Sequence, residues 1–244
     1  MRLIRAEISK LMTTRTPWVL LGAAVVTTIL AVTAAILVSS GANLDLESDT
    51  GVRTVLHVSA SGAVFMLVLG VIITAGEYRQ RTATDTFLTT PQRWRVTLAK
   101  VVVATGVGAV FGFLCAGAAM AAANHIYTLK GYTFPLGSSL ALPILGGAIL
   151  YAALFGAIGA ATGSLLRNQV GAIVGWLAWL FVVESIMVGI APAIGRWLPS
   201  AAGRSLVRDP EGTLLSQPKA ALVLLAYGAI IAVSAIVVER YRDA

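Results

Sequence analysis

Read for its apolar and polar positions, the chain divides into long, almost uncharged runs separated by short polar segments. The apolar runs cover about residues 18–39, 54–75, 101–123, 139–165, 170–191 and 220–238. A helix needs about 20 apolar residues to cross the hydrocarbon of a bilayer, and these runs are of that order. Strands of a membrane barrel are about ten residues of alternating polarity, a pattern that continuous runs do not have. The expectation is an all-α integral membrane fold, with residues 1–244 forming a single domain of six transmembrane helices.

Three segments between or before the runs are expected not to span. Residues 1–14 form an amphipathic helix on a wheel of 100° per residue, with Leu3, Ile4, Ile8, Leu11 and Met12 on one half. Arg2, Arg5, Ser9 and Lys10 fall on the other half, and such a helix would lie in the headgroup layer. Glu7 breaks the pattern, because it projects from the apolar sector. Residues 76–100 are too polar to insert and are expected as one or two short helices, broken at Thr90-Pro91. Trp94, between Arg93 and Arg95, has the character of an interfacial anchor. Residues 192–218 carry four prolines, yet the first half is too apolar for a solvated loop. That half is expected to lie on, or dip into, the outer leaflet as a re-entrant segment.

Composition agrees with this picture and narrows the function. Hydrophobic residues make up 57% of the chain and charged residues 12%, with a mean hydropathy of +0.85. A soluble domain carries roughly 25% charged residues, so a soluble enzyme is excluded. The net charge of +7 does not point to nucleic acid, because the cations sit between apolar runs rather than on one basic face. Twelve Lys and Arg fall on one side of the six-span layout and six on the other. The positive-inside rule then expects both ends in the cytoplasm, with the chain in a bacterial inner membrane. The basic start resembles a signal peptide, but the run after it exceeds the roughly 7–15 residues of a signal h-region. It is read as an uncleaved span. The one cysteine, Cys115, excludes an intrachain disulfide.

Few motifs carry chemistry. No G-x-x-x-x-G-K-[ST] phosphate loop, H-E-x-x-H or G-x-S-x-G elbow occurs. His57 and His125 have no clustered Cys or carboxylate, so neither a metal site nor a catalytic residue is expected. Gly108-x-x-x-Gly112, Gly159-x-x-x-Gly163 and Gly171-x-x-x-Gly175 have the small-residue spacing that lets helices approach closely in lipid. Packing within the subunit and a dimer seam are both open readings of these pairs. Glu184 is the one ionisable residue well inside an expected span, and a carboxylate there needs a partner. Arg196 in the outer segment, or a polar group on another helix, is the candidate. The reading divides between a brace for the outer segment and a role in a substrate path or gate. Glu77, Arg79, Arg81 and Asp85 form a mixed-charge patch, read as a solvated loop or as a docking site for a cytoplasmic partner.

Three segments carry a family resemblance. They are Arg5-Ala-Glu-Ile-Ser-Lys-Leu-Met-Thr-Thr-Arg-Thr-Pro-Trp18, Gly76-Glu-Tyr-Arg-Gln-Arg-Thr82 with Thr90-Pro-Gln-Arg-Trp-Arg95 and Leu98-Ala-Lys100, and Trp179-Leu-Phe-Val-Val-Glu184 with Arg196-Trp-Leu-Pro-Ser-Ala-Ala202. In order and spacing they resemble the membrane subunit of an ABC exporter of the type-2 permease family. Arg81 stands where the family pattern usually has Gly before the Thr, which puts the turn geometry there outside the pattern. The resemblance implies a permease that moves an amphipathic, drug-like or lipid-like substrate outward. It would pair with a second permease subunit, identical or related, and with two separate ABC ATPase subunits. ATP and Mg would be held by those partners, and this chain would carry no cofactor. Glu77, Tyr78, Arg79, Arg81, Thr82 and Asp85 would belong to a coupling helix between the second and third spans. Arg5, Glu7 and Lys10 would lie on a connecting helix, and Arg196, Trp197 and Pro199 in the outer segment. The alternatives are a proton-coupled secondary transporter that uses Glu184, and a membrane scaffold that does not transport.

Overall fold

The computed structural model describes residues 2–41, 45, 47–79, 93–134, 139–210 and 215–241. Among them every regular element is helical: α1 (Arg2–Thr13), α2 (Thr16–Gly41), α3 (Asp49–Leu56), α4 (Gly62–Arg79), α5 (Arg93–Leu129), α6 (Ala141–Leu166), α7 (Gln169–Ala178), α8 (Glu184–Ile190), α9 (Pro192–Gly195), α10 (Pro199–Leu206) and α11 (Gln217–Tyr241). A 3₁₀ turn, His57–Ser61, joins α3 to α4, and a π turn, Trp179–Val183, joins α7 to α8. Six helical stretches are long and apolar enough to cross a membrane: Thr16–Ser39, Asp49–Arg79, Trp94–Leu129, Ala141–Leu166, Gln169–Ile190 and Gln217–Glu239. They form antiparallel neighbours. Residues 10, 77 and 100 meet at one end of the bundle, with 78, 167 and 239 also in contact there. At the far end Glu47 meets Thr133, and Gln217 meets Pro143.

The centre of the bundle is α6, packed between α4 and α5. Of its most apolar stretch 67% is buried, against 11% for Gln169–Ile190 and for Gln217–Glu239. Close backbone approach makes this possible. A Cβ on Gly159 or Gly163 would strike Leu67 or Val71 and Thr74 of α4. One on Gly108 or Gly112 would strike Ala152 or Ile149 of α6. Two of the three glycine pairs thus pack inside the chain, as lipid-phase association through small residues requires. The third pair does not: Gly171 meets only the Asn168 side chain, and Gly175 faces open space. The outer helices present Val26, Leu30, Val174, Phe181, Ile230 and Val233 to the surroundings. Apolar area on that scale belongs against lipid tails rather than water.

The expected boundaries of the second and third spanning helices shift at both ends. The third spanning helix is not 101–123 but part of α5, which begins at Arg93. Gly76–Arg79 likewise continues α4. The polar segment expected over 76–100 therefore narrows to 80–92, which lies outside the described residues together with Arg81, Thr82 and Asp85. Propagating an existing helix is easier than nucleating a new one, and the buried charges on these extensions find partners, as shown below. The second spanning helix begins earlier than Thr54, at Asp49, where the Ser48 side chain caps α3 by accepting from the Gly51 N–H at 3.1 Å.

Much of the polar backbone and side-chain capacity at the two irregular turns is paired, as lipid favours, although the buried Ser59 hydroxyl in the 3₁₀ turn has no partner among the described residues. Beside the 3₁₀ turn the hydroxyls of Thr28 and Ser61 are 2.9 Å apart, and Thr28 also donates to the Ala24 carbonyl. In the π turn the Glu184 N–H reaches back five residues to the Trp179 carbonyl. Such insertions re-aim the side chains that follow them.

Candidate functional site

At the end of the bundle that carries both described terminal segments, four charged side chains close a ring. Glu7 on α1 accepts from Lys10 at 3.0 Å and from Lys100 on α5 at 2.7 Å. Glu77, in the last turn of α4, accepts from Lys10 at 2.9 Å and from Lys100 at 2.7 Å. Lys100 and Glu7 are nearly buried, with side chains 5% and 6% exposed, whereas Lys10 is 47% exposed. Two carboxylates and two ammoniums balance, so no lone charge is buried, which is the arrangement that makes burial tolerable. Burial pushes the Lys10 ammonium down, but its bonds to Glu77 and then Glu7 outweigh that and hold it above its ordinary value of 10.5.

The ring explains the odd position of Glu7. On α1, Leu3 and Leu11 turn partly toward the bundle with Glu7, while Ile4, Ile8 and Met12 remain exposed. The apolar face expected over residues 1–14 is therefore split, and its buried part is organised around a charge. Arg5 is exposed and takes no part in the ring; its carbonyl accepts from Ser9.

Next to Glu77, Tyr78 turns to a second cluster. Its hydroxyl donates to Glu239 of α11 at 2.9 Å, and Arg167 lies 4.8 Å from its ring centre. Arg167 also donates to Glu239, at 2.8 Å. Tyr78 is thus engaged inside the chain, while Arg79 is exposed.

The far end holds Glu184, 1% exposed. It accepts from the Ser200 N–H at 2.8 Å and from the Ser200 hydroxyl, so it caps the first turn of α10. Pro199 opens that helix, where a missing N–H costs nothing. Of the two partners expected for Glu184, a polar group on another helix is found in Ser200, whereas Arg196 stacks 5.8 Å from the ring of its neighbour Trp197, which is 44% exposed. The helix N-terminus supplies oriented donors to a carboxylate, and so serves in place of the guanidinium. α10 packs on α6 through Leu206 against Gly147 and Gly203 against the Tyr151 ring. The brace reading of Glu184 therefore has its geometry.

Sequence reasoning did not single out Lys100, Arg167, Ser200 or Glu239 as site residues. Lys100 and Ser200 entered within the segments that carry the resemblance, and Arg167 only in the count of orienting cations. Their partners are remote in the chain, so local patterns held no signal for them.

Fold and charge clusters together define an all-α, multi-pass membrane protein. Comparison of the sequence with protein-family models and with curated proteins finds no match.

Proposed function

We propose that this chain is the membrane-spanning subunit of an ATP-driven exporter, with both ends in the cytoplasm of a bacterial inner membrane. The observation that carries the reading is the closed ring of Glu7, Lys10, Glu77 and Lys100. It bonds the amphipathic α1 to the two helix ends that flank residues 80–92. A force applied to that segment or to α1 is passed to α4 and α5, both packed on the central α6. A rigid lever acting on a packed bundle can bias it between two arrangements. The resemblance to type-2 ABC permeases supplies the source of the force: two separate ATPase subunits that hold ATP and Mg, under a pair of permease subunits. α9 and α10 would lie in the outer leaflet. The substrate class is amphipathic, drug-like or lipid-like.

The test is to purify the full chain from its native membrane with its ATPase and measure hydrolysis and ATP-driven efflux in proteoliposomes. Glu77→Ala is expected to leave hydrolysis and to lose efflux. A variant that transports as well as the parent refutes the lever. One observation favours a second reading, a proton-coupled transporter. The π turn before the buried Glu184 departs from α geometry within a spanning helix, a feature frequent at functional sites. In that case efflux follows a proton gradient without ATP, and Glu184→Gln abolishes it.

A further inference from the structure

We infer that Tyr78, Arg167 and Glu239 form a second transmission joint, through which α11 and the α6–α7 turn follow the same α4 end that carries Glu77. The inference rests on the exporter reading and extends it to residues outside the ring.

Glu77 and Tyr78 are consecutive on the last turn of α4, so their side chains leave it about 100° apart. One joins α1 and α5; the other joins α11 and Arg167. A displacement of that turn cannot move one cluster and leave the other. Arg167 also has little slack. It holds a left-handed backbone, φ 53°, as the end of α6, and its N–H is bonded to the Gly163 carbonyl at 3.0 Å. The next residue, Asn168, caps α7 by accepting from the Gly171 N–H at 3.0 Å. The two-residue link therefore passes movement of Arg167 into the fifth spanning helix.

The cluster also has a second arrangement within reach. Glu239, 1% exposed, uses the same oxygen, Oε1, for both Tyr78 and Arg167. Its Oε2 and the Nε of Arg167 are buried and make no hydrogen bond among the described residues. A guanidinium and a carboxylate prefer two parallel bonds. Rotation of α11 or of the α4 end would exchange the Tyr78 bond for that two-bonded pair without exposing either charge. A partly buried ion pair with a second geometry within reach suits a joint better than a fixed brace.

The experiment is hydrogen exchange by mass spectrometry on the full chain in complex with its ATPase, with and without ATP and Mg. Wild type is expected to change exchange on ATP binding at residues 2–13 and also at residues 236–241. In Glu239→Gln the nucleotide-dependent change at 236–241 should shrink by about tenfold, as loss of a charge-assisted bond implies, while that at 2–13 persists. Tyr78→Phe keeps the ring beneath Arg167 and removes only the hydroxyl. It should show the same selective loss if Glu239→Gln folds poorly. A wild-type response at 2–13 without one at 236–241 overturns the joint and leaves the exporter reading standing, as does an unchanged response in both variants. If no ATPase accompanies the chain, or ATP changes neither segment, the exporter reading falls and the joint with it.

Discussion

Lys100→Met tests whether the charge ring is a buried structure or a surface ornament. The substitution removes one of two ammoniums and leaves Glu7, 6% exposed, beside a Lys10 that is 47% exposed. Glu77 then competes with Glu7 for the same Lys10. Stripping one partner from a buried pair costs about 3–5 kcal/mol, a shift of at least about 100-fold in the unfolding equilibrium. Lys10→Met starts from the same ring but removes its exposed member, and Lys100 still bridges both carboxylates. Its cost is expected at about 1 kcal/mol or less, the range of exposed pairs. Glu7→Gln combined with Lys100→Met leaves only the Lys10–Glu77 pair. It should cost less than the sum of the two single changes by about 1–3 kcal/mol. The assay is reversible unfolding in mixed micelles by titration with a denaturing detergent, followed by tryptophan fluorescence. Equal costs for Lys10→Met and Lys100→Met, or strict additivity in the double variant, would refute the reasoning.

Gly159→Ala drives a Cβ into the Leu67 carbonyl and should destabilise by about 1–3 kcal/mol in the same titration. Gly175→Ala enters open space and should be neutral or slightly stabilising; equal effects would contradict the packing. Glu184→Gln weakens the cap on α10 by about 1–3 kcal/mol, read as faster exchange of the Ser200 amide, and unchanged protection would show that the cap is not needed. Glu47 accepts from the Thr133 N–H and then its hydroxyl, which holds its carboxyl below the ordinary 4.5. The tie between these two loops at the far end of the bundle is therefore complete above that value and is lost as pH falls through the lowered one. Thr133→Val removes the hydroxyl alone, and should bring the titration of Glu47, followed by NMR, part of the way back.

The spans were legible because a bilayer imposes a length of apolar chain locally, and every run met it. Glu7 was legible as an anomaly, a carboxylate in an apolar sector, although the particular side chains it meets were not. Residues 93–100, expected in a short helix separate from the third span, instead continue straight into it, because polar residues at the end of a run read as non-spanning unless their partners are known. Once Lys100 is paired, its charge no longer argues against helix. Of the two partners expected for Glu184, Arg196 failed for a related reason, and the polar group on another helix held. Charge complementarity suggested a guanidinium, but folding of 192–206 back onto α6 brought the amides of a helix end nearer.

By itself the sequence determined the number of long apolar helices and the side on which cations gather, since hydrophobicity and charge count are sums over local residues. It also raised the question of Glu7 and Glu184, because a lone carboxylate in apolar surroundings is unfavourable wherever it sits. Only the tertiary structure decided which charges meet. Glu7 with Lys100 and Tyr78 with Glu239 are pairs 93 and 161 residues apart, brought together by close packing of α4 and α5 on α6. Pairing at that distance depends on the meeting of whole helix surfaces, a property that no stretch of chain carries alone.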